Sequence, residues 1–220
     1  MEQPKNEELP VELSPQLITI MTTEHYNLQT GRSMTIAEVN GRSSLFVGAV
    51  SSGLIALAFV GQISHLGTAF YVFSLVVLPT LFFMGLITFE RVLQADMADT
   101  IYTRGINRIR HLYLEYAPQM QPYFILSSHD DQKGTFGYET MHTVWLQFFL
   151  SMPGMIAVIN SVLAGSFVGL LLAAFTLPLW ACTGAGVIAF LVSVGIHPLL
   201  LRQWMRVERN LPVLFPSQPG

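Results

Sequence analysis

SSLFVGAVSSGLIALAFVGQISHLGTAFYVFSLVVLPTLFFMGLITF, residues 43–89, contains no Lys, Arg, Asp or Glu. A helix needs about 20 residues, rising about 1.5 Å each, to cross about 30 Å of hydrocarbon. The stretch therefore has room for two crossings and a tight turn. A second uncharged stretch runs from Thr140 to Leu201 and has room for two more. The spans read as Leu45 to Gln62, Thr68 to Phe89, Met152 to Phe175 and Leu179 to Leu201. Ile63 to Gly67 and Thr176 to Pro178 are the turns, and Pro153-Gly154 is the break at the start of span 3. The expected fold is an all-α membrane protein, four transmembrane helices as two hairpins with a helical cytosolic layer.

Composition agrees with that reading. The chain is 51% apolar and 11% charged, against about 25% charged in soluble domains. Its formal net charge of -3 excludes the bulk basic field of a nucleic-acid binder. The single Cys182 excludes an intrachain disulfide and a multi-cysteine metal site.

Charge placement predicts orientation. Lys5, Arg32 and Arg42 precede span 1. Arg91, Arg104, Arg108, Arg110 and Lys133 lie between spans 2 and 3, and Arg202, Arg206 and Arg209 follow span 4. All eleven basic residues fall on one side, and the hairpin turns carry none. Basic residues stay on the cytoplasmic face, so both termini are expected there. Trp145 and Trp204 mark the inner boundary, Tyr71 and Trp180 the outer one.

The chain divides by composition. Residues 1–21 are acidic and proline-bearing, read as a disordered cytosolic tail. Residues 22–116 hold a helix starting at Thr22 or Thr23, the first hairpin and a cytosolic helix. Residues 117–139 are a cytosolic loop, 140–209 an interfacial helix and the second hairpin, and 210–220 a tail. On the cytosolic helix, Tyr102, Ile106, Ile109, Tyr113 and Tyr116 recur at spacings of 4, 3, 4 and 3, an apolar seam on one face. Pro118 and Pro122 end that helix.

Small residues recur every fourth position in two spans. Span 3 carries Ala157, Ser161, Gly165, Gly169 and Ala173; span 1 carries Ser44, Gly48, Ser52 and Ala56. Such faces let helices approach closely. The plain reading is packing inside one chain, and the sharper one is a subunit interface. Asn160, about 12 Å deep, and His197, about 6 Å deep, are the intramembrane polar residues, read first as interhelical hydrogen-bonding groups. Ser166 lies about 15 Å in depth from His197, too far for a nucleophile and its base. Arg104, Arg108 and His111 share one face beside the membrane and suit anionic lipid or an anionic ligand. His129-Asp130-Asp131 reads as a solvated loop sooner than a metal fragment. No catalytic residue, cofactor or metal site is expected.

The stretch EHYNLQTGRSMTIAEVNGRSSLFVGAVSSGLIALAF (24–59), with INRIRHLYLE (106–115), SSHDD (127–131) and MIAVINSVLAG (155–165), resembles an uncharacterised family of small bacterial four-span membrane proteins. The likeness implies the four-span fold and a cell inner membrane, and carries no activity. A looser, architectural likeness links a membrane hairpin feeding cytosolic helices to the two-span effectors of nucleotide-signalling defence systems; those have one hairpin, and this chain has two. The function expected is an oligomeric membrane protein that forms a pore or perturbs the bilayer, its cytosolic helices gating or organising it. The alternative is a scaffold that recruits a cytosolic protein through the 90–116 helix. Membrane lipid and further copies of the chain are the expected partners.

Overall fold

The computed structural model describes residues 14–136 and 148–217, without the side chains of 205–209. The described chain is all-helical, with no strand. Its main helices are α1 (Pro15–Ile63), α2 (Thr68–Tyr116), α4 (Met152–Ala174) and α5 (Leu179–Arg209); a 3-10 helix (Pro118–Tyr123) and the short α3 (Gln132–Phe136) lie between α2 and α4. Each main helix is long and apolar enough to cross a membrane. The chain is a multi-pass membrane protein.

Local chemistry explains the ends. α1 begins at Pro15, not at Thr22 or Thr23. Ser14 Oγ accepts the Leu17 N–H at 3.2 Å, and proline suits the first helical position because its missing N–H would be unpartnered there. The helix then runs 49 residues to Ile63. The following turn closes with Leu66 N–H on Gly61 O at 2.9 Å and Gly67 N–H on Ser64 O at 2.8 Å. It holds His65 at φ 50° and Leu66 at φ 56°, left-handed conformations that cost a residue with a Cβ about 1–2 kcal/mol. Thr176 takes φ 59° in the second turn.

Pro153 and Gly154 are the first turn of α4, not a break before it. Ser151 caps the helix, its Oγ accepting the Gly154 N–H at 3.3 Å. A Cβ on Gly154 would stand 1.9 Å from Phe148 O, so only glycine fits. Pro79 and Pro198 sit inside α2 and α5. A bilayer-spanning helix tolerates proline where neighbouring groups take up the freed carbonyls. Thr80, the residue after Pro79, donates from Oγ1 to Val76 O at 2.7 Å, the carbonyl next to the one that Pro79 leaves free.

The chain divides into two compact units. Among described residues, the polar unit takes 14–33, 101–136 and 213–217, and the apolar unit 34–100 and 148–212. The expected divisions at 116/117 and at 210 differ from this, because the 117–136 segment and the C-terminal segment both fold onto the end of α2. The apolar unit is centred on Phe46, Leu78, Phe89, Val92, Leu93, Ile156 and Leu163. The interfacial helix expected from residue 140, with Trp145, lies outside the described residues.

Candidate functional site

The two small-residue faces have different surroundings. α4 and α5 pack against each other, and they do so through glycine. A Cβ on Gly165 would stand 2.7 Å from Gly186 O, one on Gly186 2.9 Å from Gly165 O, and one on Gly169 3.3 Å from Cys182 O. Ala157 and Ser161 are buried, and Ala173 is half-buried. Ser161 Oγ donates to Ala157 O at 2.7 Å and lies 2.9 Å from Ser193 Oγ, joining α4 to α5. On α1, by contrast, Ser44, Gly48 and Ser52 are exposed and Ala56 half-buried. A Cβ on Gly48 would meet nothing within 4 Å.

Asn160 and His197 are both buried, and each keeps to its own surroundings. His197 Nδ1 lies 2.7 Å from Ser193 O, one turn back on α5. A carbonyl only accepts, so the proton sits on Nδ1. The ring meets Phe89 edge-on at 4.7 Å. Asn160 is wedged against α2, where a Cβ on Gly85 would stand 2.2 Å from Asn160 Oδ1 and 2.9 Å from Phe46 Cζ. Among the described residues, neither amide atom of Asn160 has a hydrogen-bond partner, nor does His197 Nε2. The cross-helix bond expected of these two is made by Ser161 and Ser193. The signal for Ser193 was its position one turn before His197.

The polar unit is organised around two carboxylates. Asn107 on α2 donates from Nδ2 to His129 O at 2.8 Å and to Gly134 O at 3.2 Å, fixing the 129–134 loop. Asp130 is fully buried there. It accepts Arg108 Nε–H at 2.7 Å, Leu214 N–H at 3.1 and 3.0 Å, and Phe215 N–H at 2.8 Å. Asp130 N–H returns a bond to Phe215 O at 3.2 Å. Asp131 caps α3 through Gly134 N–H at 2.7 Å and holds Ser217 by its N–H at 2.9 Å and by its hydroxyl. Burial pushes the Asp130 carboxyl up, but the Leu214 and Phe215 N–H groups and Arg108 outweigh it and hold it below the usual carboxylate range. The His129-Asp130-Asp131 loop is thus a clamp on the C-terminal segment.

The clamp absorbs the residues assigned to anion recognition. Arg108 is paired with Asp130. His111 stacks on Phe215, ring centres 4.0 Å apart, and its Nε2 lies 3.4 Å from Glu115 Oε1. Arg104 is buried. The apolar seam is also engaged within the chain. Ile106 and Ile109 are buried, the Tyr102 ring lies against Gly31 of α1, and Tyr113 stacks on His25 of α1 with ring centres 6.3 Å apart. Tyr116 is half-buried. Among described residues, no group of three or more His, Cys, Asp or Glu is placed to hold a metal ion. Comparison of the chain with protein-family models, with curated proteins and with solved structures found no match.

Proposed function

We propose that this chain is a homo-oligomeric inner-membrane protein that forms a pore or perturbs the bilayer. Its spans form two hairpins, its termini lie in the cytoplasm, and the polar unit is the cytosolic layer that organises the membrane part. The observation that carries the reading is the outward-facing row Ser44, Gly48 and Ser52 on α1, exposed within an apolar span. In lipid a small-residue face gains nothing from hydrophobic burial, but it lets a second helix approach closely. The matching row on α4 has its partner in the same chain; the row on α1 is left for another copy. A conduit built this way is lined by Ser, Thr, Asn and Gly or by an apolar constriction, since the spans contain no acidic or basic side chain.

A scaffold reading retains one support. Tyr123, Ile125 and Leu126 are exposed, Ile125 almost completely, and they offer an apolar edge to a cytosolic protein where the seam is already engaged. Two measurements test the main reading. In a Cys182→Ser background, cysteine at Gly48 should cross-link two subunits in the membrane, and purified protein in liposomes should leak small ions. A particle monomeric by mass, with no leak at any protein density, overturns it. Orientation is tested by an impermeant thiol reagent: cysteine at Ser64 or Thr176 should label from outside, and cysteine at Ser127 should not.

A further inference from the structure

A cavity of about 150 Å³ opens between α1 and α2 where their uncharged stretches end. Arg42 is the last charged residue before the uncharged stretch, and Arg91 stands just past its other end. Both guanidiniums converge on one atom. Arg42 Nε–H and Arg91 NH2 donate to Glu38 Oε1 at 2.9 and 2.7 Å, and Arg91 NH1 donates to Gln94 Oε1 at 2.8 Å. Val39, Val92, Ala95 and Ala98 supply an apolar side to the same cavity. The Arg91 and Arg42 hydrogen bonds hold the Glu38 carboxyl below its usual range.

Stability gives little reason for this arrangement. The side chains of Arg42, Glu38 and Arg91 are 49%, 46% and 42% exposed, and ion pairs so open to water add little to stability. Yet two cations stand on one oxygen, with a single carboxylate between them, so the site carries net positive charge. A guanidinium has five N–H donors; the hydrogen bonds to Glu38 and Gln94 engage one on Arg42 and two on Arg91. The fork geometry of arginine matches two oxygens of a phosphate, which lysine does not. Oxyanion donors beside an apolar wall, at the level where hydrocarbon gives way to headgroups, match a group that is charged at one end and apolar at the other.

We propose that this cavity is a phosphate-binding site filled by the headgroup of an anionic phospholipid. Arg42 and Arg91 hold the phosphate oxygens, and Val39, Val92 and the two alanines lie against the glycerol and the start of an acyl chain. Glu38 pre-positions the two guanidiniums and competes with the phosphate for them. The site differs from the Arg104, Arg108 and His111 face expected from sequence, and it does not depend on whether subunits associate.

Native mass spectrometry and thermal unfolding in mild detergent test it, with phosphatidylglycerol, phosphatidylcholine and inorganic phosphate as separate probes. The intact chain should retain phosphatidylglycerol at least tenfold better than phosphatidylcholine. Arg42→Gln with Arg91→Gln should abolish that preference. Glu38→Gln should strengthen retention about threefold, because it removes the competing charge and keeps an acceptor; this variant separates a lipid site from a helix clamp, which it would only loosen. Equal retention of both lipids by the intact chain, or a phosphatidylglycerol preference unchanged in the double variant, overturns the proposal. Inorganic phosphate protecting the chain as well as phosphatidylglycerol does at equal concentration overturns the lipid assignment.

Discussion

α4 and α1 carry the same signature, small residues at every fourth position, and their surroundings are opposite. On α4 the glycines bring α5 so close that Gly165 and Gly186 leave no room for a Cβ on either helix. On α1 the row from Ser44 to Ser52 lies open. A repeat of small residues therefore encodes how near a helix can be approached, and says nothing of which helix arrives. Asp130 and Asn160, both fully buried, show a parallel contrast. Asp130 collects backbone and guanidinium donors, and the Asn160 amide has no hydrogen-bond partner among the described residues.

The sharpest way to break the first comparison is Gly165→Leu. The obstacle is backbone, which cannot turn aside, so a loss of about 3 kcal/mol or more is expected, read as thermal unfolding in detergent. An unchanged midpoint would mean that α4 and α5 do not pack through glycine. Asp130→Ala should cost about 2–3 kcal/mol locally, since it removes charge-assisted hydrogen bonds and leaves buried donors without an acceptor. Amide exchange at residues 213–217 reads it: those amides should lose protection.

Acid should do the same by titration. A carboxyl depressed in the folded state adds stability that is complete above its unfolded value of about 4 and is lost as pH falls through the lower folded value. Protection at 214 and 215 should therefore hold between pH 8 and 5 and fall below about pH 4. Protection that is flat through that lower range would break the contrast between Asp130 and Asn160.

Gly85→Ala lies between the extremes. Its Cβ would meet side chains and not backbone, the end of Asn160 and the Phe46 ring, and a cost of about 1–2 kcal/mol is expected. Asn160→Ala in the same chain should recover part of it. Additive losses in unfolding would show that the two do not touch. The smallest expected effect is Gly48→Leu, within about 0.5 kcal/mol for the single chain, with loss of cross-linking between copies. A large loss of monomer stability there would erase the difference between the two faces.

Four helices, their turns and the starts of α2, α4 and α5 were legible because lipid forbids charge over a fixed thickness, and a run of uncharged residues reports that thickness directly. Ser14-Pro15 carries as legible a helix start as Thr22 or Thr23, since serine caps and proline suits the first helical position. Sequence could not reveal which of two small-residue rows meets another helix of the same chain. It could not show that Tyr102 and Tyr113 are met by Gly31 and His25 of α1, or that Asp130 reaches Leu214 and Phe215 far along the chain. Spacing along one helix records a face, whereas a contact depends on what the rest of the chain brings to that face. Only the tertiary structure turned a loop read as solvated into a clamp, and set Arg42 and Arg91, on different helices, against a single oxygen of Glu38.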